Sequence, residues 1–288
     1  MRIDSHQHFW RYNASEYGWI DHSMSCLRRD FLPENLKVEL DAAGFDGAIA
    51  VQARQTLEET RWLLELAATA PHVLGIVGWV DLRSPDVRSQ LSEFAGNPKF
   101  LGVRHIVQSE PDDHFLLQPE FLRGVGVLEE FDLTYDILIY PRHLPTAAEF
   151  VKLFPQQHFV LDHLAKPPIK SGSPDPWQSG IRELAKHQNV FCKLSGLVTE
   201  ADWKSWKPSH IEPYLDIALE SFGPERLMIG SDWPVCTLAG SYLLVMNLLI
   251  EYLSKYPDSV RDVVLGGNAA KFWKLDRKIL AVAHPNNQ

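Results

Sequence analysis

The chain has 288 residues, of which 45% are hydrophobic and 23% charged, with a formal net charge of −9 at pH 7. This composition is typical of a globular protein with a large core, and the negative charge argues against a nucleic-acid or membrane partner. Three cysteines without a close pair (Cys26, Cys192 and Cys236) exclude a disulfide framework and a cysteine-rich zinc site.

Eight short apolar segments, which alternate with segments of helical periodicity, are predicted as strands. Two of them, around 48–51 and 159–161, are apolar on both faces, as in a buried parallel sheet. The predicted strands are 2–8, 47–53, 73–80, 100–107, 133–140, 158–163, 189–194 and 226–231. This alternation predicts an α/β fold, a (β/α)8 TIM barrel, in one domain over 1–288. A doubly wound sheet is the alternative, but no glycine-rich phosphate loop follows the first strand.

The ends of the predicted strands carry titratable side chains, and the two longest connections, 9–30 and 195–209, directly follow strands. In a barrel these features converge on one mouth, where active sites lie. His6 and His8 are alternate residues of the first strand, so their imidazoles share a face and can bind a metal or a polar substrate. Two structural histidines at a strand end are the alternative. Asp232 ends the eighth strand before Trp233 and Pro234, and has little structural use there.

The other strand ends offer further candidates. Arg104 and His105 point to opposite sides of their strand, so we expect one of them to face the site. Tyr135 lies in the fifth strand, His163 ends the sixth, and Lys193 lies in the seventh. Lys193 is either a substrate-binding cation or an ion-pair partner of Asp162 or Asp136.

Taken together, these motifs resemble the amidohydrolase superfamily over the whole chain, and most closely its amidohydrolase-2 branch, which includes sugar-acid and pyrone-dicarboxylate lactonases. The resemblance rests on Asp4-Ser5-His6-Gln7-His8-Phe9-Trp10, on Asp162-His163-Leu164-Ala165-Lys166-Pro167, on Lys193-Leu194-Ser195-Gly196, on Gly230-Ser231-Asp232-Trp233-Pro234 and on Gly267-Asn268-Ala269-Ala270-Lys271-Phe272. Two of these pieces look closest to L-fuconolactonase-like and L-rhamnonolactonase-like members.

The resemblance implies catalytic roles for Asp232, His163, His6 and His8, with Asp232 as general base or metal ligand. It implies that the same four residues are the candidate ligands of a metal. The sequence departs from the superfamily's metal pattern, because strand 4 has no bridging lysine or glutamate and strand 5 has no histidine. We therefore expect at most one divalent ion, zinc, which need not be essential. Candidate substrate-binding residues are Arg104, His105, Tyr135, Lys193 and Trp233.

The expected function is a hydrolase of carbohydrate metabolism, a lactonase whose partner is a small sugar-acid lactone. Since Arg104 is the only arginine at a strand end, a neutral aldonolactone is favoured over a dicarboxylate. A metal-dependent decarboxylase of the same branch and a non-catalytic sugar-acid binding barrel are the alternatives. A cytoplasmic location is expected, because no signal peptide or membrane span is evident, and a homo-oligomer is compatible with the sequence.

Overall fold

The computed structural model describes residues 1–275. Eight parallel strands form one sheet in chain order: β1 Ile3–Gln7, β2 Gly47–Val51, β3 Val73–Gly78, β4 Phe100–His105, β5 Thr134–Ile137, β6 Phe159–Leu161, β7 Val190–Leu194 and β8 Leu227–Ile229. The sheet closes where the Asp232 amide donates to the His6 carbonyl at 2.8 Å and the His8 amide donates to the Trp233 carbonyl at 2.6 Å. The (β/α)8 barrel is therefore confirmed. Most strands are shorter than predicted, because the last residues of the predicted segments are not part of the sheet and belong to the loops at the mouth of the barrel.

Helices cover the outside of the barrel and follow the strands in order: α1 Pro33–Ala43, α2 Leu57–Thr69, α3 Val87–Phe94, α4 Pro119–Val125, α5 Leu144–Leu153, α6 Trp177–Leu184, α7 Pro208–Phe222 and α8 Tyr242–Leu253, then the short α9 Asp258–Asp262 and α10 Asn268–Phe272. Their ends carry ordinary signals. Pro33 occupies the first turn of α1, and Gly44 ends it in the left-handed region at φ 71°. The Thr56 hydroxyl accepts from the Glu59 amide at the start of α2.

The barrel interior is packed below the mouth, so the fold is not a pore. Its lower part is filled by apolar side chains of the strands, among them Ile49, Val77 and Val160. Trp273, directly after α10, closes the amino-terminal end, where its Nε1 donates to Thr134 Oγ1 at 3.2 Å. The apolar layer supports a polar layer above it, toward the carboxyl ends of the strands.

The two long connections predicted to build the mouth are ordered by backbone contacts and short 3-10 segments. Residues 9–30 include the segment His22–Leu27, and Trp10 pairs through its backbone with Phe31. Arg54, after β2, forms an ion pair of 2.6 Å with Glu16 of this connection. Within residues 1–275, no helix is long and apolar enough to span a bilayer. The extent of a single domain over 1–288 stays a prediction, since it includes residues outside this range.

Candidate active site

One carboxylate oxygen faces three imidazoles at the mouth of the barrel. Asp232, directly beyond β8, has its Oδ1 at 3.3 Å from His8 Nε2 and 3.8 Å from His6 Nε2. The Nε2 of His163, at the end of β6, lies 3.9 Å from the same oxygen. All four side chains are buried, and the Nε2 atoms of His6 and His8 lie 3.2 Å apart. The structure thus brings together the four residues that were predicted to carry the chemistry.

Hydrogen-bond partners at the Nδ1 atom of each histidine ring orient the ring so that its Nε2 atom faces the Asp232 carboxylate. His8 Nδ1 lies 2.7 Å from the Val51 carbonyl oxygen, and His6 Nδ1 lies 3.3 Å from Asp162 Oδ1. Because a carbonyl and a carboxylate only accept, these contacts favour the tautomer that carries its proton on Nδ1 and a lone pair on Nε2. His163 Nδ1 is held by Ser195 Oγ at 2.9 Å.

A layer of four buried charges, Arg104, Asp136, Asp162 and Lys193, lies beneath the histidines; we call it the charged layer. Lys193 Nζ lies 2.5 Å from Asp136 Oδ2 and 2.9 Å from Asp162 Oδ1. Arg104 Nη1 donates to Asp162 Oδ2 at 2.9 Å, and its Nη2 donates to the Gln52 carbonyl and side chain. Both cations also border the His6 ring, since Lys193 Nζ is 3.2 Å from Nδ1 and Arg104 Nη1 is 3.3 Å from Nε2.

Burial and these neighbours shift the pKa values of the site. Burial lowers the pKa of His6 well below its ordinary value and that of His163 to about 4, although nearby carboxylates oppose the shift. Burial alone would raise the pKa of Asp232, but His163 and the two histidines of β1 outweigh it and hold that pKa below its usual range. At neutral pH, His6 and His163 are therefore neutral while Asp232 is ionised.

Burial likewise raises the pKa of Asp136, to about 6, and Lys193 offsets only part of that rise. Burial would also raise the pKa of Asp162, but Lys193, His6 and Arg104 hold it well below its usual value. In this part of the site the three carboxylates of Asp136, Asp162 and Asp232 face the two cations Arg104 and Lys193.

The donor set at the mouth fits a single divalent ion. Zinc–nitrogen bonds of about 2.0–2.1 Å in a tetrahedral site place neighbouring ligand atoms about 3.3 Å apart. The His6–His8 distance of 3.2 Å and the His8–Asp232 distance of 3.3 Å match this spacing. Two lone pairs that face each other at this distance repel unless a proton or cation lies between them. A second group, His6, Asp162 and His163, also comes together, but Asp162 is already paired with Arg104 and Lys193.

Two predicted substrate-binding residues are not in the site, and the prediction for them is corrected. His105 stacks on Phe115, with ring centroids 4.7 Å apart, and its Nε2 lies 2.7 Å from Glu110 Oε1. Tyr135 packs on the rings of Phe121 and Phe150 outside the barrel. Because side chains alternate along a strand, these two residues point outward where their neighbours Arg104 and Asp136 point inward.

Three other candidates lie at the site, and two of them are already engaged by protein groups. Lys193 is fully buried and pairs with both predicted partners, Asp136 and Asp162, so the ion-pair alternative is the one observed. Arg104 is engaged by Asp162 and Gln52. The Trp233 indole is 2% exposed, with its ring centroid 5.2 Å from that of Phe31, so it supports the wall of the mouth.

Sequence reasoning missed the groups that orient the site. Ser195 and Asp162 were visible as parts of motifs, but their contacts with the histidines depend on strand register. Glu59, buried at the start of α2, was not singled out at all. Its Oε2 accepts from the amides of Ala53 and Arg54 at 3.1 and 2.7 Å, which holds the loop after β2. A carboxylate in the first turn of an otherwise apolar helix face was the available signal.

This barrel, with histidines at the ends of β1 and β6 and an aspartate after β8, defines the chain as an amidohydrolase. A sequence model of the amidohydrolase family (Amidohydro_2) matches residues 3–275, and the chain belongs to that family. It is 43% identical to an L-fucono-1,5-lactonase from Burkholderia multivorans over 96% of both chains. It is 39% identical to an L-fucono-1,5-lactonase from Burkholderia ambifaria, over 96% of this chain and 97% of the relative.

Among solved structures, the chain is similar to the crystal structure of an amidohydrolase from Burkholderia multivorans with bound zinc. The TM-score is 0.92 at 43% sequence identity, and the match covers 95% of this chain and 99% of the other. The family and the fold are thus shown independently by sequence and by structure.

Proposed function

We propose that this protein hydrolyses a sugar-acid lactone, with L-fucono-1,5-lactone as the first candidate substrate. The observation that carries the proposal is the ionised carboxylate of Asp232, which faces three imidazole nitrogens at the mouth of the barrel. The similarity to two L-fucono-1,5-lactonases over nearly the full chain supports the substrate class. A non-catalytic binding protein would have no use for a buried, oriented carboxylate of this kind.

Asp232 is the proposed general base. As the oxygen of a water molecule bonds to the lactone carbonyl carbon, the carboxylate takes one proton from that water. The bond between the carbonyl carbon and the ring oxygen then breaks, and Asp232 returns the proton to that oxygen. The products are a carboxylic acid and a hydroxyl group of the same open chain, so atoms and charges balance.

The three histidines orient the reacting water and the carbonyl. Neutral His6 and His163 lack the cationic charge that would repel a metal, and the Nε2 lone pairs of His6 and His8 point to the centre. The charged layer fixes the His6 ring between Asp162 and Lys193 and excludes water from below. A rigid arrangement of this kind lowers the barrier because the groups need not reorganise during the reaction.

His6, His8 and Asp232 would hold one divalent ion such as zinc, with His163 beside them. When bound, the ion supplies Lewis-acid polarisation of the carbonyl. A second ion is not proposed, because Arg104 and Lys193 supply positive charge around His6 and Asp162. An aldonolactone is an activated ester, so its hydrolysis needs less Lewis-acid help than an amide, and we propose that the ion is not essential.

The engagement of Arg104 by protein groups favours a neutral lactone. Substrates with two carboxylates are commonly bound by arginine forks. Arg104 cannot serve in this way, since its terminal nitrogens are engaged by Asp162 and Gln52.

The test compares purified protein on L-fucono-, L-galactono- and L-rhamnonolactone with a pyrone dicarboxylate lactone, and records acid release in a weakly buffered indicator solution. Spontaneous opening is subtracted with a sample that lacks protein. We expect turnover of at least one aldonolactone and a clear preference for it over the dicarboxylate. Preference for the dicarboxylate would contradict the substrate class, and binding of every lactone without turnover would contradict the proposed activity. Carbon dioxide release from an aromatic acid would instead indicate a decarboxylase.

A further inference from the structure

Lys166 ends a left-handed segment that begins at His163. Four consecutive residues, from His163 to Lys166, have φ between 50° and 55°. Non-glycine residues avoid this region, so the run persists only because its surroundings enforce it. The Lys166 amide donates to the His163 carbonyl at 2.7 Å, and Trp177 Nε1 donates to the Leu164 carbonyl at 2.6 Å. These contacts hold His163 and Lys166 together beyond the end of β6.

Groups from the neighbouring strand ends surround the Lys166 ammonium. Its Nζ lies 3.2 Å from Glu200 Oε1, in the connection after β7, and 5.7 Å from the ring centroid of Tyr140, after β5. Burial lowers the pKa of Lys166, but Glu200 and Asp232 outweigh it and raise the pKa above its ordinary value, so the ammonium is charged. The charge of Lys166 in turn helps to lower the pKa of His163, whose backbone carbonyl accepts from the Lys166 amide at 2.7 Å.

This pair differs from the charged layer in being accessible. The Lys166 side chain is 18% exposed and that of Glu200 is 23% exposed, whereas Lys193 and Asp162 are fully buried. An ammonium has three donors and a carboxylate has four acceptor positions, so one mutual contact leaves both groups able to bind a ligand. Two adjacent hydroxyls of a sugar can accept from one such group and donate to the other. The distance between two adjacent hydroxyl oxygens is similar to the distance between the ammonium and the carboxylate.

We propose that the Lys166–Glu200 pair binds the hydroxyl groups of the sugar. Lys166 donates to one ring hydroxyl of the lactone, and Glu200 accepts from the adjacent hydroxyl. The inference rests on the proposed lactonase function and names what recognises the hydroxyls of its substrate. It assigns recognition to an accessible pair, in place of the buried cations that the sequence suggested. Neither residue takes part in the proton transfers of Asp232.

The experiment compares Lys166→Met and Glu200→Gln on two substrates, L-fucono-1,5-lactone and unsubstituted δ-valerolactone, which lacks the hydroxyls. Hydrogen bonds to charged groups at this site predict a loss of about 10- to 100-fold in kcat/KM on the sugar lactone. The loss on δ-valerolactone should be clearly smaller, because that substrate has no hydroxyls for the pair to bind. Lys186→Met is the matched control, since it removes an exposed lysine paired with Glu183 on the outer face of α6.

Equal losses on both lactones, or no loss on either, would overturn the proposal. Calorimetric binding of L-fuconate, the hydrolysis product, gives a second measurement that needs no turnover. We expect a dissociation constant about tenfold weaker for Lys166→Met and also weaker for Glu200→Gln. If Glu200→Gln instead bound the anion more tightly, the pair would act only through charge, and hydroxyl recognition would be wrong. Failure of the wild-type protein to open any lactone would refute the proposed function, while this binding comparison still decides the role of the pair.

Discussion

Replacement of Asp232 by asparagine should abolish most turnover while leaving the fold intact. The loss of a general base typically lowers kcat by about 10²–10⁴, which corresponds to roughly 2.7–5.4 kcal/mol in the activation free energy. Asparagine has nearly the same shape and is one of the few residues that tolerate the left-handed region, where Asp232 lies at φ 57°. The backbone link between β8 and β1, which uses the Asp232 amide, is therefore retained.

The chain contains a matched control for this change. Asp132 also has a left-handed backbone, at φ 54°, but it is exposed and pairs with Lys274 at the opposite end of the barrel. Asp132→Asn should therefore keep full activity. Acid release from L-fucono-1,5-lactone measures turnover, and circular dichroism with a thermal midpoint checks folding. If folded Asp232→Asn kept more than about a tenth of the wild-type kcat, the assignment of the base would be refuted.

Two further predictions concern the metal and a buried carboxyl group. After chelation, metal analysis and reloading, the protein should hold no more than one equivalent of zinc. The chelated protein should keep substantial lactonase activity without the ion. A hundred-fold loss of activity that only two equivalents of zinc restore would instead show a binuclear centre. Burial raises the pKa of Glu59 from 4.5 to about 7, so the folded state binds the extra proton between these values and its free energy of unfolding falls as pH rises through them, by roughly 3 kcal/mol. Urea midpoints at pH 5 and pH 8 should differ more in the wild type than in Glu59→Gln, because the variant lacks this one titrating group while the other buried groups are shared. An equal change in the two proteins would contradict the prediction.

Local patterns in the chain were sufficient to predict the barrel and four side chains that meet at its mouth. Strands and helices follow from periodicity, which covalent geometry imposes on short segments. His6 and His8 share a face because they are alternate strand residues, and His163 and Asp232 end strands whose carboxyl ends must meet in a barrel. The prediction of these four positions did not depend on which side chains of neighbouring strands contact each other.

Contacts between distant segments could not be predicted in this way. The sequence analysis placed Tyr135 of β5 in the site, and only the closed barrel shows Asp136 inside and Tyr135 outside. The sequence left open whether Lys193 binds substrate or carboxylates.

The sequence by itself determined the fold class and which titratable residues stand at the strand ends, because both depend on the order and spacing of residues along single elements. Tertiary structure alone decided the charged layer and the Lys166–Glu200 pair. The two members of that pair are 34 residues apart in the chain and lie in the connections after two different strands. Their contact depends on strand register, barrel closure and the left-handed turn after His163, none of which has a local signature in the sequence.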